Sequence, residues 1–269
     1  MTNIIAALLK RQPRFAANSW LLLSLLTLGL TSSLHGVQAA PPQTAPAELN
    51  NLLTQIDTSA SKGDVKGVIQ FYSPNFTSGD GLNRPNLEKA LVTLWKQYPQ
   101  LRYSTKLQSW QSEGNAIIAE TVTNISNSPS ANANNLAFNA TITSRQKIAG
   151  GKIVSQDILA ERSLITSGNQ PPQIDFKLPQ QVKVGQQYSF DAIVKEPLGD
   201  DFLLGTAIEE PVKAEKYLNP TPVDLQLLTS GGLFKVGRAP ATPGNHWISA
   251  VIVRGEGMTM VTQRLRVVK

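Results

Sequence analysis

Apolar residues recur at helical spacing in three short segments between residues 47 and 98. Chain breakers agree with these segments: Gly63 and Asp64 separate the first two, Pro74 follows the second, and Asn83 precedes the third. The stripes are Leu49, Leu52, Leu53, Ile56 and Ala60; Val65, Val68, Ile69 and Tyr72; and Leu87, Ala90, Leu91, Leu94, Trp95 and Tyr98. The sequence therefore predicts three amphipathic helices, each of which must bury one side.

After Pro99 the hydrophobic period changes from helical spacing to two. Apolar and polar residues alternate from Leu101 to Gln108 and again from Leu136 to Thr143, which predicts strands with one apolar and one wet face. Gly150-Gly151 indicates a tight hairpin, and 126–135 reads as a polar loop. Helices followed by an antiparallel meander predict an α+β domain at 47–166, in which helices cover one sheet face.

The rest of the chain reads as strands only. Gly168, Asn169 and two prolines mark 167–173 as an interdomain linker. Short strand-like runs separated by turn signals then predict an all-β sandwich at 174–269. The seven runs are Ile174 to Leu178, Gln187 to Lys195, Phe202 to Ile208, Val223 to Leu228, Leu233 to Arg238, His246 to Arg254 and Met258 to Val268.

The first 39 residues have the three-part layout of a secretory signal peptide. Basic residues precede the apolar run Trp20 to Leu30, and the small residues around Ala39 suit cleavage. An uncleaved membrane anchor is the alternative, if the apolar region extends from Phe15 to Leu34. A Pro-rich spacer, 40–46, follows. We expect an exported protein of the periplasm, the thylakoid lumen or the extracellular space, which meets a membrane only through this segment if it stays uncleaved.

Composition excludes several kinds of chemistry. The chain has no cysteine and two histidines, so it offers no thiol nucleophile, no disulfide and no tetrahedral zinc set. The net charge of +6 falls to +3 without the leader, whose only charges are Lys10, Arg11 and Arg14. No basic stripe suits nucleic acid, and no glycine-rich phosphate loop is present. The sequence predicts no metal and no cofactor.

One stretch carries a resemblance to a known superfamily. This stretch resembles nuclear-transport-factor-2-like proteins of the SnoaL and ketosteroid-isomerase type. The residues that carry the resemblance are Gly63-Asp64-Val65, the segment Phe71 to Phe76, Asp80-Gly81 and the helix Leu87 to Tyr98. This resemblance implies a cone-shaped fold that hosts isomerases, cyclases, dehydratases, ligand carriers and structural partners. The segment Ala241 to Trp247 is similar to a strand of immunoglobulin-like modules in exported bacterial proteins.

Candidate catalytic residues are few. Isomerases of this superfamily use a carboxylate base and a tyrosine, for which Asp157, Glu120 and Tyr72 are the candidates. Asp157 could point inward as a base with a raised pKa, or outward to pair with Arg145 or Lys147. Asp80 reads as a turn residue rather than an acid. The expected pocket lining, or simple core, comprises Tyr72, Trp95, Tyr98, Tyr103, Phe138 and Leu159.

Two hypotheses for function remain. In the first, the protein is an exported non-enzymatic module whose domains engage a partner protein or an envelope component. In the second, the cone binds a small apolar ligand and isomerises, cyclises or dehydrates it. The absence of an identifiable catalytic set favours the first. The wet sheet face provides the interface candidates, and a homodimer is one expected use of it: Arg102, Lys106, Gln108, Asn139, Thr141 and Arg145.

Overall fold

The computed structural model describes residues 39–127, 136–199, 201–219 and 221–269. Its first part contains three α-helices. After a short 3-10 helix, the helices are α1 (Ala47–Ser61), α2 (Val65–Ile69) and α3 (Arg84–Gln97). The Asp64 carboxylate accepts a hydrogen bond from the Gly67 N–H, and the Asn83 side chain accepts one from Asn86. The predicted starts of α2 and α3 are therefore explained by local capping.

The second helix is shorter in the structure than the apolar stripe of the sequence predicts. Tyr72, assigned to that helix from its spacing, instead begins strand β1 (Tyr72–Ser78), which runs parallel to a later strand, β5 (Lys152–Gly168). Pro74 lies inside β1, where the pairing register shifts between Tyr72 and Thr77. A proline is tolerated there because the hydrogen-bonded ladder is interrupted.

Most of the described residues with regular structure belong to one large sheet. Its strands besides β1 and β5 are β2 (Arg102–Glu113), β3 (Ala116–Ser126), β4 (Ala137–Ala149), β7 (Gln181–Lys183), β9 (Leu203–Pro211), β10 (Gln226–Leu228), β12 (Gly244–Arg254) and β13 (Gly257–Val268). The strand order is β10-β9-β12-β13-β5-β4-β3-β2, with β1 added beside β5 and β7 beside β13. The Gly150-Gly151 hairpin between β4 and β5 is confirmed, with both glycines at positive φ.

A smaller sheet packs against the second half of the large one. It has the order β11-β8-β6, built from β6 (Ile174–Lys177), β8 (Gln187–Val194) and β11 (Gly232–Arg238). Phe176, Phe190 and Leu233 from this sheet share a buried core with Ile252 and Leu265 from the large one. Two apolar sheet faces that share one core form a sandwich.

The predicted linker does not separate the two parts. Ser167 and Gly168 are the last residues of β5 and pair with Met258 and Gly257 of β13, so one sheet runs through both parts. Gly168 has φ +85°, and a Cβ there would collide with the Glu256 carbonyl oxygen. The described residues from Ala39 to Lys269 accordingly belong to one compact unit.

The prediction of strands only after residue 173 is wrong in one place. Helix α4 (Ala214–Leu218) lies between β9 and β10 and contacts α3. Five residues make little more than one turn, so no helical periodicity can emerge from them. Among the described residues no helix is long and apolar enough to cross a membrane. Residues 1–38 of the predicted signal segment 1–39 lie outside the described residues. Most of the predicted loop 126–135 also lies outside the described residues.

Candidate functional site

The expected pocket residues lie in two adjoining clusters between the helices and the large sheet. The Trp95 Nε1–H donates a hydrogen bond of 2.8 Å to the Tyr103 hydroxyl, and the two rings meet edge to face. Tyr72 packs edge-on against Phe76 at 4.9 Å between ring centroids. Tyr98 and Phe138 pair in the second cluster, also at 4.9 Å. Leu159, on β5, is half-buried.

Burial changes the acid–base properties of two of these tyrosines. Loss of hydration raises the pKa of Tyr72 to about 12, with a smaller contribution from Tyr103. Loss of hydration also raises the pKa of Tyr103 to about 12, although the hydrogen bond from Trp95 opposes it. Both hydroxyls therefore stay protonated near neutral pH and can donate hydrogen bonds but cannot act as bases.

The two candidate carboxylates do not face this interior. Glu120 lies on the opposite face of the sheet and accepts two hydrogen bonds from the Arg145 guanidinium, the shorter at 2.6 Å. Asp157 is exposed beside Gly79, where an added Cβ would lie 2.5 Å from its Oδ1. Lys147 pairs with Glu113 at 2.7 Å, so the predicted partners of Asp157 are both engaged with other acids. The structure does not bring Glu120 or Asp157 to the tyrosines.

The six interface candidates are all exposed on strands β2 and β4. Asn124 on β3 and Thr141 on β4 stand opposite each other, and the Thr141 hydroxyl donates to the Asn124 side chain at 3.0 Å. Opposite residues of an antiparallel pair share one face of the sheet. This wet face is therefore continuous across β2, β3 and β4, as the alternation predicts: Arg102, Lys106, Gln108, Asn139, Thr141 and Arg145.

A buried ion cluster is the densest group of charges among the described residues. Arg264 of β13 has a fully buried side chain and holds Asp80 through two parallel hydrogen bonds of 2.8 Å. Its Nε and Nη2 also donate to Glu161 Oε2 of β5, at 3.2 and 2.8 Å. Asp80 lies in the turn after β1, so the cluster ties that turn to two neighbouring strands of the large sheet.

Two aromatic residues complete the ion cluster. The Tyr217 hydroxyl of α4 donates to Asp80 Oδ2 at 2.6 Å, and the Trp247 Nε1–H of β12 donates to Glu161 Oε2 at 2.9 Å. Their rings meet edge to face at 4.9 Å. Burial and the neighbouring carboxylates raise the pKa of the Tyr217 hydroxyl above its usual value. Burial alone would lower the pKa of Arg264, but the hydrogen bonds and charges of Asp80 and Glu161 raise it.

The ion cluster offers little to a substrate. Both Asp80 oxygens already accept hydrogen bonds, and the Asp80 side chain is 3% exposed. A general base needs a free lone pair within reach of the proton that it removes. Asp80 is therefore a turn residue, as predicted, that also anchors the second part of the chain. Its partner Arg264 stands 184 residues away, and no local pattern links the two.

A third group, the apolar edge, comprises Phe202, Leu204, Val223, Leu227, Phe234 and Val236. Among the described residues eight large apolar side chains are exposed, and these six all fall within 202–236. Leu204 of β9 stands opposite Leu227 of β10, the terminal strand of the large sheet. Phe234 and Val236 lie on β11, the terminal strand of the small sheet, and point away from the sandwich core that holds their neighbour Leu233, on the outer face of that sheet. Sequence reasoning had placed these residues in strands without identifying them as exposed.

Two surface cavities stand apart from the interior. One, of about 770 Å³, is formed by loops at one end of the sandwich, including Asn169, Glu196, Arg254 and Glu256. The other, of about 400 Å³, lies over β3, β4 and β5 on the wet face. Neither is lined by Tyr72, Trp95 or Tyr103. No group of three or more acidic or histidine side chains among the described residues is placed to hold a metal ion.

Comparison with known families covers the second part of the chain. Residues 169–268 match a family model described as "Domain of unknown function (DUF8623)". No curated protein matches the chain.

Comparison with solved structures finds similar proteins over 41% to 45% of this chain. Bd1075 of Bdellovibrio bacteriovorus is similar at 13% identity and a TM-score of 0.32, over 41% of this chain and 38% of that one. AclR of Streptomyces galilaeus is similar at 16% identity and a TM-score of 0.32, over 45% of this chain and 90% of that one. An LEH-like epoxide hydrolase of M. tuberculosis is similar at 11% identity and a TM-score of 0.30, over 41% and 80%.

Proposed function

We propose that this chain is an exported, non-enzymatic binding protein that engages a partner protein of the cell envelope through the apolar edge. The observation that carries this proposal is the concentration of six of the eight exposed large apolar side chains in residues 202–236. Exposed apolar residues scattered singly are ordinary, whereas apolar side chains in register on neighbouring strands, as Leu204 and Leu227 are, mark an interaction surface.

The pairing of the strands gives the edge a continuous row of apolar side chains. One row of opposite residues crosses the four strands β13, β12, β9 and β10. It consists of Met258, Val253, Leu204 and Leu227, in that order. Leu204 is 40% exposed and Leu227 is 58% exposed. Residues in register on neighbouring strands share one face, so a partner could cover the row at once. Each large side chain that it buried would contribute about 1.5–3 kcal/mol before the costs of association.

The terminal position of β10 and β11 adds a second mode of recognition. Terminal strands leave backbone N–H and C=O groups available for another strand. An extended apolar segment of the partner could add to β10 while its side chains cover Leu204 and Leu227. Lys235 lies between Phe234 and Val236 on β11 and discourages a second copy of this chain from pairing there.

In this proposal the helix-and-sheet part is a scaffold. Helices α1, α2 and α3 close the curved sheet into the cone that the resemblance implies, and side chains such as Tyr72, Phe76 and Ile153 pack within it. The ion cluster fixes this cone to the strands that lead to the apolar edge. Ligand chemistry inside the cone has less support, because Glu120 and Asp157 lie outside it.

Affinity capture with a matched variant tests the proposal. The wild-type protein and Leu204→Ser/Leu227→Ser, both immobilised, are exposed to an envelope extract of the producing organism, and bound proteins are quantified by mass spectrometry. We expect one species to be retained by the wild type and lost from the variant. Equal retention by both proteins would reject the apolar edge as the binding surface, and native mass spectrometry finding a retained small molecule would favour ligand binding instead.

A further inference from the structure

A groove on the wet face has a chemistry unlike that of the apolar edge. Its volume is about 400 Å³, and it lies over three neighbouring strands, β3, β4 and β5. Two rows of residues in register cross it: Ser126, Asn139 and Leu164 form the first, and Asn124, Thr141 and Arg162 form the second. Because residues in register share a face, these side chains line one surface.

Five of the nine residues that line the groove carry an amide or a hydroxyl group: Asn124, Ser126, Asn139, Thr141 and Ser163. Asn124 and Asn139 each carry an acceptor oxygen and an NH₂ group with two donors, while Ser126 and Thr141 carry hydroxyls that both donate and accept. The Thr141 hydroxyl donates to the Asn124 oxygen at 3.0 Å, which orients the Asn124 amide. The nearby apolar residues Ile125 and Ala140 are buried, and Leu164 is 36% exposed. The groove therefore suits a ligand rich in hydroxyl groups better than one with apolar side chains.

The charge of this surface is positive. Arg162 is exposed, and its guanidinium lies 5.3 Å from the centroid of the Phe176 ring, which holds it at the side of the groove. Arg102 and Lys106 are exposed on the adjoining strand β2. None of these three cations forms an ion pair with any residue that the structure describes. The acids Glu120 and Asp157 lie in a row farther from the groove than the row of Lys106. Glu120 is already paired with Arg145.

We propose that this groove binds an anionic polysaccharide, with Arg162 contacting a carboxylate of the sugar chain and the Asn and Thr side chains contacting its hydroxyls. Guanidinium–carboxylate hydrogen bonds are among the strong ones in proteins, and the neighbouring cations raise the local concentration of a polyanion. An acidic peptide is disfavoured because the amides and hydroxyls of the lining match the many hydroxyl groups of a sugar chain rather than a run of carboxylates. The site lies on β3 to β5, separated from the apolar edge by β12 and β13, so it goes beyond the proposed partner protein.

Titration of the purified protein with polygalacturonate tests this proposal, with neutral dextran as the ligand control. Arg162→Gln removes the guanidinium, and Asn139→Ala removes an amide without changing the charge. Lys235→Gln is the matched control, because it removes one exposed positive charge from a distant strand. Circular dichroism checks that each variant remains folded.

The proposal expects polygalacturonate to bind, dextran not to bind, and added salt to weaken the complex. Arg162→Gln should weaken binding about tenfold, the size of one charge-assisted hydrogen bond, Asn139→Ala should weaken it less, and Lys235→Gln should leave it unchanged. Absence of polygalacturonate binding, or an equal loss in Lys235→Gln, would overturn the proposal. Equally tight binding of polyglutamate would also overturn it, because the site would then recognise acidic peptides.

Discussion

Two regions of this protein reverse the usual placement of side chains. In the ion cluster, the charged residues Asp80 and Arg264 are buried between the turn after β1 and strand β13. At the apolar edge, Phe202 and Leu227 are exposed, at 78% and 58%. One region places charge inside and the other places apolar surface outside.

The difference between the two regions lies in whether the chain itself supplies the partners. Arg264, Asp80, Glu161, Tyr217 and Trp247 satisfy one another through hydrogen bonds of 2.6 to 3.4 Å. Burying charge is costly unless it is paired in this way. The apolar edge has no comparable cover among the described residues. The buried ion cluster therefore explains how the two parts of the chain hold together, and the exposed apolar residues are the basis of the proposed partner binding.

The largest expected effect comes from breaking the ion cluster. Arg264→Met removes the cation and leaves two carboxylates close together, so we expect the free energy of unfolding to fall by about 3–5 kcal/mol. Urea denaturation measures this fall. The control is Arg145→Met, which breaks the exposed pair with Glu120 and should cost about 1 kcal/mol or less. Equal effects of the two substitutions would contradict the structural role of the cluster.

A sharper comparison uses two adjacent leucines of β9. Leu203 is 2% exposed and packs in the core of the sandwich, whereas Leu204 is 40% exposed on the apolar edge. Leu203→Ala should lower the free energy of unfolding by about 2–5 kcal/mol, since it leaves a cavity. Leu204→Ala should change it by less than about 1 kcal/mol. A large loss in Leu204→Ala, measured by the same urea titration, would mean that the edge stabilises the fold rather than binding a partner.

The smallest effect concerns pH and a buried tyrosine. The pKa of Tyr72 is about 12 in the folded protein and about 10 when unfolded, so its contribution to stability is complete below pH 10. Between pH 10 and 12 the unfolded chain loses the proton first, and stability falls by about 1.4 kcal/mol per pH unit. Tyr72→Phe should remove the contribution of Tyr72 to this fall in the free energy of unfolding between pH 10 and 12. Unfolding measured from pH 9 to 12 tests it, and an unchanged slope in the variant would place Tyr72 in contact with water.

The predictable part of the fold depends on neighbours in the sequence. The caps at Asp64 and Asn83, the hairpin at Gly150-Gly151 and the alternation on β2 each follow from a few adjacent residues. Strand β1 was missed because its pairing with β5 joins residues about 80 positions apart. Helix α4 was missed because one turn has no period.

The candidate sites also differ in whether neighbouring residues in the sequence are enough to predict them. The wet face of the sheet follows from alternation, and its six interface candidates are exposed. The ion cluster could not be predicted, because Asp80, Glu161 and Arg264 meet only when β1, β5 and β13 are in place. The apolar edge could not be recognised from spacing either, because the sequence pattern of a strand is the same whether its apolar residues face a core or solvent.

Photo-crosslinking in intact cells of the producing organism tests the binding role of the apolar edge most directly. A photoreactive amino acid at position 227 should yield one discrete adduct with an envelope protein, and Leu204→Ser in the same chain should reduce that adduct about tenfold. The same probe at position 89, on the exposed surface of α3, should give no such adduct. No adduct from position 227, or one that persists unchanged in the Leu204→Ser background, would contradict the account.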